Sequence, residues 1–361
     1  MNEFLYNDGQ QGALKDPQDD RDLIYDQYVL GAAPVEIDWD KGFDIRDTLG
    51  ADFKFKLQGP SLSCVAQAVS YYVWVKQVLE MMARYGLKLP ELRLQHPQDV
   101  DEVSARAIYA QIFLSPQGGA YIRSGMKLIV DWGSVFEHDL PSVNPATGME
   151  DEAWMRDRSW LNAKISEIAK VLKGQKFMTI VAADNMDLFA RAIMENGGVV
   201  GGILGQNEHG WNTVNPQPPD DLSKTWGHAL FYGAFGKDEL GKFIATPNSW
   251  GNGFRPDPTY VWKPGDKPGE GWQKLRADYF NNTYQFNPWT YTDLRNNENN
   301  MVFKKEAGKP NIFLINEEKK TKTLIIDMPT LDALGGQFEE VPDLNGYTEK
   351  GTLVWSERLI N

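Results

Sequence analysis

Apolar residues recur every three or four positions from Val65 through Ala68, Val69, Tyr72, Val75 and Leu79 to Met82, and the run stops at Gly86. That period is helical. It predicts a buried helix starting at or beside Cys64, with Ser61 or Ser63 placed to cap it. Further helices are expected from about Ser104 to Phe113, after the Pro116-Gln117-Gly118-Gly119 break through Met126 to Trp132, over 160–172 and over 186–196. The period then shortens to that of strands at Val199 to Ile203, Ala229 to Phe235 and Lys242 to Ala245. The first half is thus mainly helical and the second mainly β, an α+β organisation. The proline-bearing stretch 205–224 reads as a long loop of the kind that often carries function.

Residues 1–36 are polar and rich in Asp and Gln, and read as an extended arm. Residues 37–295 make the main domain. The run Arg295 to Asn300 reads as a linker into a small C-terminal α/β module, 305–361, with strands at Asn311 to Asn316, Thr323 to Asp327 and Gly351 to Trp355, and a short helix at Thr330 to Leu334.

Composition narrows the function. Hydrophobic residues are 42% and charged residues 24% of the 361, ordinary for a chain that buries a core. A formal charge of -13 argues against a nucleic-acid partner, because phosphate binding needs clustered Lys and Arg. No secretory signal and no span of about 20 apolar residues is visible, so membrane insertion is not expected and a cytoplasmic or virion/particle-associated setting is. One cysteine permits no internal disulfide. His96, His138 and His209 lack ligand spacing, so neither a metal nor another cofactor is expected.

The lone thiol invites a chemical reading. Asp238 lies midway between His228 and Asn248, inside a Gly236-to-Gly241 loop that reads as the turn of a hairpin, so antiparallel pairing sets His228 opposite Asn248. Cross-strand neighbours stand about 5 Å apart, within reach of a hydrogen bond that orients the imidazole without adding charge. A thiol at a helix start, beside an imidazolium, ionises more readily than a free one. Gln58 and the N–H of Cys64 are candidate donors for an oxyanion. Taken singly, Cys64 is equally a buried helix thiol and His228 a core histidine; together they make an acyl-transfer apparatus.

The segment Gln58-Gly59-Pro60-Ser61-Leu62-Ser63-Cys64-Val65-Ala66 resembles the Gln-Gly-x-x-x-Ser-Cys-Trp-Ala motif of the papain-like cysteine peptidases. Gly227-His228-Ala229-Leu230 and Pro247-Asn248-Ser249-Trp250-Gly251 resemble the same family's base and Asn-Ser-Trp-Gly motifs, in the same order along the chain. The resemblance extends over about 40–290 and is closest to bacterial and phage members without disulfides. It implies a two-lobed fold, a helical lobe facing a β-barrel-like lobe, and a thiolate acyl-enzyme mechanism. Cys64 is then nucleophile, His228 base, Asn248 its orienter and Gln58 the oxyanion donor. It further implies that Gly118 and Gly119 pair with an extended peptide or protein substrate, that Ala120, Tyr121, Val200 and Trp226 line the pocket for its second side chain, and that Gly227 and Trp250 flank the site, Trp250 shielding the His–Asn bond. Departures are Val65 for Trp and Ser61 for the half-cystine that normally staples the nucleophile loop.

Two other classes stay open: a non-catalytic binding or structural protein that keeps the fold, and another thiol acyl-transferase, against which Asn248 speaks because those enzymes commonly use Asp or a second His. The tail resembles modules appended to bacterial and phage surface proteins, which implies a surface or particle partner. A packing appendage is the other reading.

Overall fold

The computed structural model describes residues 12–30, 35–50, 55–174, 176–206, 210–211, 213–250 and 272–292, with 301–306, 312–316, 321–325, 339–342 and 348–353 near the C-terminus. The arm opens with a two-residue strand, β1 (Ala13–Leu14), and is not extended throughout, since Tyr25–Leu30 forms helix α1. Tyr25 and Val29 are buried, which explains the local helix: it inserts an apolar face into the core. Strand β2 (Phe43–Asp44) runs into α2 (Ile45–Leu49), capped by the Asp44 carboxylate and closed by Gly50.

Helix α3 (Cys64–Tyr85) ends at a left-handed Gly86, as the apolar period predicts. Ser63 sits at its N-cap without capping it through the side chain, whose hydroxyl is used elsewhere. From Cys64 to Val75 the helix is buried on every side, as expected for one apolar all round. Helices α4 (Leu89–Gln95) and α5 (Ala105–Ile112), strand β3 (Ala120–Tyr121) and helix α6 (Ile122–Asp131) follow. Helix α3 packs against α5, α6 and strand β6 (Trp226–Tyr232). Helices α7 (Glu152–Arg156) and α8 (Ala163–Ala169) complete the helical half.

The second half adds β4 (Lys176–Thr179), α9 (Met186–Asn196), β5 (Val199–Gly205) and β6 (Trp226–Tyr232), then β7 (Ala234–Asp238), β8 (Gly241–Pro247), β9 (Trp272–Arg276) and β10 (Gln285–Thr292). These form two four-stranded sheets, β4-β10-β5-β6 and β2-β7-β8-β9. The stretch expected as one strand, Ala229 to Phe235, breaks at Gly233, where the chain leaves one sheet for the other. A Cβ at Gly233 would lie 2.8 Å from the Phe231 ring, so the crossing needs glycine. The β7–β8 turn is also tighter than expected: Asp238 pairs with Gly241, and Glu239 and Leu240 alone make the loop.

Near the C-terminus, β11 (Met301–Glu306), β12 (Ile312–Asn316), β13 (Thr321–Ile325), β14 (Glu339–Val341) and β15 (Thr348–Leu353) form one five-stranded sheet ordered β14-β11-β12-β13-β15. The helix expected at Thr330 to Leu334 lies outside the described residues.

Candidate functional site

The loop before α3 is held against the far end of β8. Gln58 N–H donates to the Ser249 carbonyl at 2.9 Å, and Leu57 bridges Trp250 in antiparallel fashion. The Gln58 side chain, wholly buried, has its orientation fixed: the Ser249 hydroxyl donates to Oε1 at 2.6 Å, and Nε2 turns toward the loop before Cys64, donating to the Ser61 carbonyl at 3.1 Å. Cys64 opens α3 at the end of that loop. Its Sγ accepts the backbone N–H of Ala229 at 3.4 Å, which sets the thiol against the peptide unit adjoining His228.

His228 lies on β6 opposite Ile203. It therefore does not face Asn248 across a hairpin, as the sequence suggested; Asn248 follows directly on β8, in the other sheet from β6, and the packing of β6 on β8 brings the two residues together. The contact is nonetheless made, with His228 Nε2 3.2 Å from Asn248 Oδ1. The neighbours of Asn248 settle the proton. Its Nδ2 donates to Gln273 Oε1 at 3.0 Å, and its Oδ1 accepts the Ser249 N–H at 2.7 Å, so Oδ1 is what meets the imidazole. An acceptor there places the ring proton on Nε2 and leaves Nδ1 as the basic nitrogen. Gln273 is itself locked by donation to the carbonyls of Trp211 at 2.9 Å and Thr213 at 3.2 Å.

Three indoles surround the ring. Trp250 stacks on His228, with centroids 4.9 Å apart and planes at 29°. Trp226, expected in a substrate pocket, stands edge-on to Trp211 at 4.9 Å and to His228 at 6.0 Å, in the wall around that imidazole. Trp211 completes the group, edge-on to His228 at 6.4 Å. Cys64 and His228 are 0% exposed and Asn248 1%. Burial pushes the His228 imidazolium down to about 3, the Asn248 hydrogen bond opposing it, so the ring is neutral in this arrangement.

The glycines expected to pair with a substrate have other partners. Gly118 N–H donates to the Leu114 carbonyl, Gly119 N–H to the Tyr109 hydroxyl, and the Gly119 carbonyl accepts from Leu114, so these glycines close their own turn. Gly118 is at φ +83 and any Cβ there would lie 2.3 Å from Arg156 Nη2. Pairing passes to the next residue, and its partner is the arm. Ala120 N–H donates to the Gly12 carbonyl at 3.0 Å, Gly12 N–H donates to the Gly227 carbonyl at 3.1 Å, and β1 pairs with β3 in parallel, Ala13 with Ala120 and Leu14 with Tyr121. Ala13 is 0% exposed. Val200 is buried on β5 opposite Phe231.

Polar contacts anchor the arm farther on. Asp16 accepts Trp289 Nε1 at 2.8 Å and the Arg123 N–H, while the Arg123 side chain meets Asp19 at 2.5 Å and Asp22 at 2.6 Å. Residues that sequence reasoning passed over are Ser249, Gln273 and Trp211. Ser249 lies inside the Pro247-to-Gly251 motif, whereas Gln273 and Trp211 lie outside the three motifs, and nothing local in their chemistry announces their partners. His209 lies outside the described residues. Among the described residues no group of three or more His, Cys, Asp or Glu side chains is arranged to hold a metal ion, and no helix is long and apolar enough to cross a membrane.

Neither family models nor curated sequences match the chain. Among solved structures it is similar to xylellain, a cysteine protease from Xylella fastidiosa, at 17% identity over 81% of this chain and 99% of that one, with a TM-score of 0.56. Procathepsin L 3 of Tenebrio molitor larval midgut is 16% identical over 78% of this chain and 76% of its own, with a TM-score of 0.46. The bromelain protease from Ananas comosus is 13% identical over 70% and 98%, also at 0.46. The likeness to xylellain shows the fold, a mixed helix-and-sheet arrangement of the papain-like kind.

Proposed function

We propose that this chain, with its papain-like fold, is a cysteine peptidase whose nucleophile is Cys64. The observation that carries the reading is the fixed carboxamide of Asn248, which holds His228 with its proton on Nε2 while Sγ of Cys64 rests on the adjoining peptide. In the reaction the thiol proton passes to Nδ1 and the thiolate attacks the peptide carbonyl carbon. Gln58 Nε2 and the Cys64 N–H receive the negative oxygen. The His228 proton then goes to the departing amine, leaving an acyl-thioester that water, deprotonated by the same imidazole, hydrolyses. Asn248 adds no charge; it keeps the ring in the required tautomer.

On this reading the helices from α3 to α8 and the two four-stranded sheets form the lobes of a cleft, the C-terminal sheet is an appended module, and the setting is a cell interior or a particle. The arm lies in the cleft. Gly12 occupies the Gly227 carbonyl and the Ala120 N–H, the groups an extended substrate would use, so the form described here is a covered one. Substrate displaces the arm and pairs with Ala120. The small apolar Ala13 against buried Ala120 supports a preference for an apolar second side chain over Arg or Lys, in a pocket to which Val200 is the other proposed contributor.

Burial of the thiol favours one competing reading, a non-catalytic protein that retains the fold. Incubating the intact chain with fluorogenic peptides and with iodoacetamide, then mapping the alkylated residue, separates the two. Hydrolysis that disappears on alkylation of Cys64 supports the peptidase. Peptide binding without hydrolysis, in a chain whose Cys64 stays buried and resists alkylation, supports the binding protein.

A further inference from the structure

The Gln58–Ser63 loop carries an oxyanion donor, yet the position of the stapling half-cystine is Ser61. The hydrogen bonds around that serine admit one proton assignment. Ser61 Oγ lies 2.6 Å from the Gln58 backbone carbonyl, which can only accept, so the Ser61 proton goes there. Ser63 Oγ, 2.7 Å from Ser61 Oγ, must then donate to Ser61. With its proton committed, Ser63 Oγ accepts from Gln67 Nε2 at 3.1 Å. The second N–H of Gln67 goes to Glu150 Oε2 at 2.5 Å. Every step is buried, Glu150 included at 5% exposure.

The result is a chain of donors with one direction, running from Gln67 to the Gln58 carbonyl, and Glu150 holds its far end. Gln67 keeps this orientation although its own Oε1 has no hydrogen-bond partner, a costly state for a buried acceptor. Burial, with the Glu137 carboxylate adding to it, pushes the Glu150 carboxyl up to about 8 against the opposing Lys56; protonated or not, one of its oxygens still accepts. The same segment grips the loop twice more. Gly59, at φ +54, packs so that a Cβ would lie 3.0 Å from the Glu150 carbonyl oxygen, and Leu62 N–H donates to Glu152 Oε2 at 2.7 Å.

We propose that Glu150 is a positioning residue which, through Gln67, Ser63 and Ser61, sets the place of Gln58, doing by hydrogen bonds what a cross-link would do covalently. The catalytic role of Gln58 rests on the peptidase reading; the mechanical coupling does not.

Glu150→Leu and Gln67→Leu cut the chain at two points, and Glu150→Gln keeps an acceptor oxygen for Gln67. Amide hydrogen exchange in the intact protein reads the coupling directly. In both Leu variants the amides of Gln58, Ser61 and Leu62 should exchange about tenfold faster, the change that losing roughly one hydrogen bond gives, with the middle of α3 unaltered. Glu150→Gln should match the parent. Kinetics in an Ala13→Arg background, with the arm displaced, should show kcat falling on the order of 100-fold in the Leu variants, as for a displacement of about 1 Å, with KM and the alkylation rate of Cys64 little changed. Alkylation needs the thiol but no oxyanion donor. Unchanged loop exchange, or a loss in Glu150→Gln as large as in Glu150→Leu, overturns the proposal. If the Ala13→Arg chain neither hydrolyses peptides nor alkylates at Cys64, the peptidase reading fails, and loop exchange alone still decides the coupling.

Discussion

Replacing Gln273 by leucine removes a side chain of similar size that touches neither thiol nor imidazole but fixes Asn248. Three hydrogen bonds go: Asn248 Nδ2 loses its acceptor, and the carbonyls of Trp211 and Thr213 lose their donor. Gln273 is fully buried, so water does not readily replace it. At about 1–3 kcal/mol for each buried group left unpaired, and weighting the longer bond to Thr213 least, the cost is roughly 2–5 kcal/mol. A loss of that size lowers the midpoint of thermal unfolding by roughly 5–10 °C. The functional effect follows from the freed carboxamide. Once Nδ2 has no partner the group can turn its nitrogen toward His228, which removes the acceptor that keeps the proton on Nε2. Nitrogen-15 spectra of the ring should show one tautomer in the parent and a mixture in Gln273→Leu, with hydrolysis lowered on the order of 10- to 100-fold. A variant that melts lower but keeps a single Nε2–H tautomer and full activity would refute the chain of inference from Gln273 to His228.

Ala13→Arg places an unpaired charge where a buried alanine faces Ala120, so the arm should leave the cleft and Cys64 should alkylate faster in the full chain; an unchanged rate means the arm is not what covers the thiol. Ser249→Ala removes the 2.6 Å hydroxyl on Gln58 Oε1 while keeping the backbone pairing, and should lower kcat about tenfold, with no change in KM, as the loss of roughly one hydrogen bond does. His228 and Glu150 should tilt stability in opposite directions with pH. Because burial depresses His228 to about 3, the unfolded chain takes up a proton from its ordinary 6.5 downward that the folded chain refuses, and this stability is lost as pH falls through that window. Burial raises Glu150 to about 8, with Glu137 and Glu102 adding and Lys56 opposing. Its contribution is full below the ordinary 4.5 and lost as pH rises through 8, so in denaturant melts Glu150→Gln should flatten the fall in stability between about pH 4.5 and 8.

Much of the site was legible because its pieces are local. The three- and four-residue period from Val65 to Met82 becomes α3, Gly86 closes it, and Cys64 opens it. Asn248 does reach His228, but by a different route from the one the spacing suggested. The symmetric count about Asp238 assumed one continuous hairpin, whereas the chain changes sheets at Gly233 and sheet packing supplies the contact. A break at a glycine inside an apolar run carries no local sign of which sheet each side joins. Gly118 and Gly119 give no sign in the sequence that Tyr109 and Leu114 take their polar groups. The Gln67–Glu150 and Asn248–Gln273 pairs join residues far apart in the chain, and no periodicity encodes them.

The claim that Cys64 is the nucleophile is tested most directly by trapping its acyl-enzyme. The Ala13→Arg chain is mixed with an activated peptide ester, quenched in acid within the first turnovers and digested for mass spectrometry. The chain contains a single cysteine, so a thioester has one possible site. The structure predicts an acyl group on the Cys64 peptide that forms as a burst, decays with turnover and is absent from Cys64→Ala, which hydrolyses nothing. Hydrolysis that persists in Cys64→Ala, or turnover without any acyl adduct at Cys64, would contradict it.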